Sequence, residues 1–205
     1  MKSTLFRSAN AVLAIALIAF FTGTISIAQA LTSNGIVSVA ATVDQSLTFT
    51  LNNASIAFGP LSTSAARYAN TTTGSASETI AHTLALATNS GSGYSISVQG
   101  ATLTASTTYT INATGATPVA SSPGTEQFGI YATKAGGVNG TIDPTFATAS
   151  SFGYDGTAST AATFATGYTP TQTETYSLRY LANIAPTTEA GSYSTSLTYV
   201  ATANF

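Results

Sequence analysis

The residues able to do chemistry in this chain are few and scattered. His82 is the single histidine, cysteine is absent, and the acids are Asp44, Glu78, Glu126, Asp143, Asp155, Glu174 and Glu189. A histidine-based triad needs a nucleophile beside the base and an acid behind it. Serines are plentiful, yet no Gly-x-Ser-x-Gly elbow joins a strand to a helix, and Gly91-Ser92-Gly93 reads as a hairpin turn. His82 shares its parity with Ile80, Leu84 and Leu86, which places it facing a core near a strand end.

Paired carboxylates run glycoside hydrolysis. Spacing pairs no two of these acids, and each falls at an expected strand end or loop, where it is solvated. Asn139-Gly-Thr-Ile-Asp143 and Asp155-Gly156 offer oxygens of the kind that calcium takes in sets of roughly six to eight. No EF-hand spacing or acidic repeat accompanies them. Lys134, beside Gly136-Gly137, reads as a solvated loop residue rather than a buried lysine poised to join an Asn or Asp. Tyr154 and Tyr168 lie in an irregular stretch and have the chemistry to stack on sugar rings. Asn53, Asn70, Asn112 and Asn139 open glycosylation sequons in form, which arise easily in so Thr-rich a chain. The expectation is therefore a non-enzyme: catalytic residues none, cofactor-binding residues none, metal ligands none.

The elements that must carry these residues begin with an export signal. Lys2 and Arg7 precede the apolar run Ala11 to Phe21, and Ala28-Gln29-Ala30 matches a small-x-small cleavage site. Thr22, Gly23 and Thr24 interrupt the run, which makes it short for a membrane span of about 20 residues. Residues 1–30 are read as a cleaved signal peptide and 31–205 as one domain, secreted or at the cell surface. Without Lys2 and Arg7, only Arg67, Lys134 and Arg179 stand against seven acids, a formal charge of −4. Such a chain cannot neutralise a run of phosphates, so nucleic acid is not its partner. With no cysteine to form a disulfide, the core must hold the fold.

Alternation supplies that core. Val37, Val39, Ala41 and Val43 share one parity; Leu47, Phe49 and Leu51 share another; Ile56 and Phe58 begin a short third run. Glu78 to Ala87 and Tyr94 to Gln99 flank a turn cluster and predict a hairpin. Leu103, Tyr109 and Ile111 mark shorter strands, Ala113 to Thr125 reads as a connection, and Phe128, Ile130 and Ala132 mark another strand. Residues 134–170 have no sustained period and read as a long irregular insertion that hides short strands or an elaborated loop. Thr173 to Ile184 and Ser192 to Ala201, separated by Pro186 and Gly191, predict a closing hairpin. Some eight to ten strands with no helix after Ala30 predict an all-β, antiparallel β-sandwich, immunoglobulin-like or jelly-roll-like.

Two stretches carry a resemblance. Leu47-Thr-Phe-Thr-Leu51 followed by Ser55-Ile-Ala-Phe-Gly59 resembles the opening of bacterial surface β-sandwiches. Ala190-Gly-Ser-Tyr-Ser-Thr-Ser-Leu-Thr-Tyr199 resembles their closing strand. That group includes WxL-type cell-wall domains and fimbrial or spore-coat-U-like pilin sandwiches. The chain lacks the tryptophan of the first and the cysteine pair of many of the second. The resemblance implies an exported bacterial structural or adhesive domain.

The expected function is a non-enzymatic surface or secreted protein, such as a fibre subunit or adhesin, partnered by itself or by other surface proteins through an edge strand. Leu31 to Val43 is a candidate to be donated to another chain, although an ordinary first strand paired within its own domain is the preferred reading. The alternatives are a small outer-membrane β-barrel closed at Phe205, and a carbohydrate-binding sandwich module with a glycan ligand.

Overall fold

The computed structural model describes residues 33–105, 108–137 and 139–205. The expected signal peptide, residues 1–30, lies outside them. The chain divides into two units, Met1–Thr42 and Val43–Phe205. In the first, described residues 33–42 form no strand, and Ile36, Val37 and Val39 stand exposed. The preferred reading of an ordinary first strand is thus overturned: the alternation is present, but no ladder uses it.

The regular structure of the second unit is almost all strand, in antiparallel sheets packed face to face as a β-sandwich. Its strands, in chain order, are β1 (Leu47–Leu51), β2 (Arg67–Tyr68), β3 (His82–Thr88), β4 (Tyr94–Gln99), β5 (Thr104–Ala105), β6 (Tyr109–Thr110) and β7 (Gly115–Ala120). There follow β8 (Gln127–Gly136), β9 (Thr141–Ile142), β10 (Ser151–Tyr154), β11 (Ala162–Gly167), β12 (Thr171–Asn183) and β13 (Thr198–Ala203). The larger sheet runs β1-β3-β12-β8-β10-β7, with β2 also pairing β12. The smaller sheet runs β13-β4-β11-β9, and β5 and β6 form a ribbon of their own.

The thirteen residues of β12 hold the larger sheet together. One edge pairs with β8 over Glu174 to Asn183, and the other pairs with β3 and then β2. Its parity puts Tyr176, Leu178 and Tyr180 into the core, where they meet Leu84 and Leu86 from β3 and Ile96 and Val98 from β4. Phe164 of β11 packs edge-on against Tyr176, with ring centroids 5.7 Å apart, and so ties the two sheets together. A smaller cluster of Tyr131, Phe152 and Leu181 packs with Ala66 and Tyr68. The stretch Ser62 to Ser77, expected as a plain loop, contributes β2 and half-buried residues to it.

Both predicted hairpins are corrected. The arms of the closing pair, β12 and β13, lie in different sheets, and so do β3 and β4. Alternation fixes which side chains turn inward. It does not name the partner strand, and in a sandwich two consecutive strands can both face the core from opposite layers. The crossing from β3 to β4 turns at Gly93, whose φ of 78° suits glycine. Ile80, expected to face inward, is exposed, because the strand begins only at His82. Ile56 and Phe58 belong to no strand; only an isolated bridge, Ala57 to Asn70, anchors that run.

Ala113 to Thr125, expected as a connection, contains β7. Its Pro118 is tolerated because β7 is an edge strand paired with β10 alone. Within residues 134–170 lie β9, β10, β11 and a single helical turn, Pro144–Ala147, capped by Asp143. The expected hidden short strands are present in this region, and the helical turn corrects the expectation of no helix. Among the described residues, no helix is long and apolar enough to cross a membrane.

Candidate functional site

Two places in the sandwich gather polar chemistry, and both grow from β12. The first is a buried carboxylate. Glu174 has no exposed surface, against the expectation that every acid is solvated. The signal was in the alternation: Glu174 shares its parity with Tyr176, Leu178 and Tyr180. Its Oε1 accepts from the backbone N–H of Gly140 at 2.9 Å, that of Asn139 at 3.2 Å and the Thr171 hydroxyl at 2.9 Å. Its Oε2 accepts from the Tyr176 hydroxyl at 2.9 Å and from that of Tyr94, which belongs to the other sheet. Burial alone would raise the carboxyl pKa, but the Tyr94, Tyr176 and Thr171 hydroxyls and the Asn139 N–H outweigh it and hold the group below its ordinary value. The Tyr94 and Tyr176 hydroxyls are themselves pushed up, first by burial, and stay protonated as donors.

Lys134 sits at the end of β8 with its Nζ 3.6 Å from Glu174 Oε1, so the lysine expected in a solvated loop is half of an ion pair. An amide between the two would need a neutral amine and a protonated carboxyl. Five donors stabilise the ionised carboxylate instead, so the arrangement favours a salt bridge. Gly140 is required here, since an added Cβ would collide with Glu174, Tyr176 and Tyr94 together. The cluster acts as a polar rivet: one carboxylate clamps the loop between β8 and β9 onto β12 and joins the two sheets through Tyr94.

The second place is an open groove at one end of the sandwich. Its volume is about 1170 Å³, and it lies between the segments 53–61 and 188–197. Leu103, Phe128 and Ile184 contribute to its apolar wall. β1, at one edge of the larger sheet, and β13, at one edge of the smaller, each pair on a single side. Along these margins Phe49, Ile56 and Phe58 on one side and Tyr193, Leu197 and Tyr199 on the other pack against the core while remaining partly exposed.

His82 lies in this groove and is 5 % exposed, so the core-facing expectation holds. Its Nε2 is 2.6 Å from the Tyr180 hydroxyl, which in turn lies 2.7 Å from that of Tyr199. The imidazole stacks on Tyr180 and meets Tyr199 edge-on. Burial lowers its pKa to about 4, opposed in part by the backbone of Thr83, and among the described residues no side chain or backbone group bonds to Nδ1. The histidine is neutral near pH 7 and bonded to tyrosine; among the described residues it joins no serine and no carboxylate.

The remaining candidates disperse. Among the described residues, no three His, Asp or Glu side chains converge as a metal site. Asp143 caps the helical turn by accepting from Thr145 N at 3.0 Å, and Asn139 bonds to Thr169. Tyr154 is fully buried, its hydroxyl donating to the Gly100 carbonyl at 2.7 Å, so it cannot stack on a sugar. Tyr168 is exposed. The Asn70 side chain accepts from the Thr72 and Gly74 N–H groups and shapes a turn. No protein-family model, curated protein or solved structure matches this chain.

Proposed function

We propose that this protein is an exported, non-catalytic structural or adhesive subunit that associates with other copies through free strand edges. The open groove carries the reading. A sandwich that completes its own core covers the apolar side chains along its margins, whereas this one leaves Ile56 and Phe58 on one wall of the groove, and Tyr193 and Leu197 on the other, half-covered. The best candidates for chemistry, His82 and Glu174, are both engaged in internal bonds, which favours a scaffold over a catalyst. Sheets that end in free edges, around an interior filled by side chains, favour a sandwich over a closed outer-membrane barrel. Residues 31–205, purified without detergent and concentrated, are expected to form oligomers or filaments by light scattering and negative-stain microscopy. A strict monomer at all concentrations would contradict self-association.

A further inference from the structure

We infer that two copies pair edge to edge through β1, each β1 running antiparallel to the other about a two-fold axis at Phe49. The inference rests on the self-associating subunit proposed above and names the edge that such a subunit uses. β1 pairs with β3 alone. Beyond its two ends, Asn52 N donates to the Thr83 carbonyl at 3.2 Å, and the Ser46 carbonyl accepts from Asn89 N at 3.2 Å. Successive residues of a strand direct their backbone groups to opposite edges, so the even-numbered residues serve β3. The backbone groups of Leu47, Phe49 and Leu51 therefore point to the free edge, where no strand meets them among the described residues.

Free edges are ordinarily blunted, and two of the others here are. β7 carries Pro118 and a register shift against β10, and β9 has only two residues. β13 is unblunted, but it turns the small Ala201 and Ala203 to the side on which β1 turns Phe49 and Leu51. β1 has no proline, no charged residue and an unbroken register with β3. Its sequence also reads the same in both directions: Leu47-Thr48-Phe49-Thr50-Leu51. Antiparallel pairing centred on Phe49 sets Leu47 opposite the partner's Leu51, Thr48 opposite the partner's Thr50, and Phe49 opposite its own copy. The outward groups then match, with Leu47, Phe49 and Leu51 each donating one hydrogen bond and accepting one. Aromatic and threonine cross-strand pairs are among those that stabilise antiparallel sheets. Leu47 is 37 % and Leu51 41 % exposed although both share the core-facing parity of Phe49, so the partner's strand has apolar surface to cover. Leu51 also lines the groove, and this register brings the partner's Leu47 to that rim. Charge does not oppose the contact. Asp44 is the one ionisable residue within 43–54, and the register sets it opposite the partner's Ala54 rather than its own copy.

The contact is isologous and closes at two copies, with the larger sheet continuous across the axis. The test uses residues 31–205 in analytical ultracentrifugation, comparing the wild type with two variants. One carries Thr48→Lys and Thr50→Lys, the other Thr48→Lys and Thr50→Glu. Both threonines are exposed and lie beside Ala87 and Ala85 of β3, so each variant is expected to keep the melting temperature of the wild-type monomer. Across the axis, lysine faces lysine twice in the first variant and glutamate twice in the second. The expected result is a dimer for the wild type and for the Lys–Glu variant, whose pairing weakens with added salt, and a monomer for the Lys–Lys variant at the same concentrations. Dimerisation of the Lys–Lys variant at wild-type strength would overturn the β1 contact while leaving self-association standing. Loss of the dimer in both variants alike would overturn the antiparallel register about Phe49. A wild type that stays a single chain at every concentration would reject the subunit reading together with this one.

Discussion

At the scale of single residues, Glu174 and His82 are two buried titratable groups with opposite solutions to burial. Glu174 stays charged because five donors surround it; His82 stays neutral because the Thr83 backbone offsets only part of the cost of burying its charge. Glu174→Ala removes the acceptor and leaves those donors facing one another, and is expected to cost about 3–5 kcal/mol in urea denaturation. Lys134→Met is expected to cost only about 0–1 kcal/mol, since the lysine is partly solvated. Acid titration separates the two groups. The unfolded chain protonates His82 near its ordinary 6.5, but the folded chain resists until about 4, so stability falls as pH drops through that window. The loss amounts to about 3 kcal/mol, and His82→Phe is expected to flatten the curve between those limits. Glu174, held below its ordinary 4.5, adds a further loss below that value in either protein. Parity turned His82 inward, while Glu174, which shares the parity of Tyr176 and Tyr180, was expected to be solvated because acids commonly are. The donors around Glu174 come from β4, β12 and a loop distant in sequence, which no local pattern reveals.

At the scale of elements, the alternating runs were readable and their pairings were not. Tyr94, Ile96 and Val98, or Tyr176, Leu178 and Tyr180, announce their buried face by type and spacing alone. The partner of each strand depends on which layer it enters, and short turns such as the one at Gly93 serve a layer crossing as well as a hairpin. The short strands β9 and β10 carry too few residues to show a period, so residues 134–170 looked irregular. This arrangement predicts an order of protection. Amides of β12, which is paired along both edges, are expected to exchange most slowly in hydrogen–deuterium measurements, β1 and β13 faster, and residues 33–43 of the monomer at nearly the rate of free peptide. Fast exchange in β12 beside slow exchange in β13 would contradict the sheet order.

At the scale of the whole molecule, the apolar pattern exceeds what one copy puts to use. Among the described residues, the alternating segment before β1 joins no ladder, and the sandwich carries a groove of about 1170 Å³ lined by half-covered apolar side chains. The segment was legible in the sequence; the groove was not, because it arises where residues 53–61 and 188–197 come together from opposite ends of the fold. The most direct measurement compares hydrogen–deuterium exchange in the assembled and monomeric fractions of residues 31–205. Protection of residues 53–61 and 192–197, the two walls of the groove, on assembly is the predicted result. Assemblies in which both walls still exchange as freely as in the monomer would contradict it.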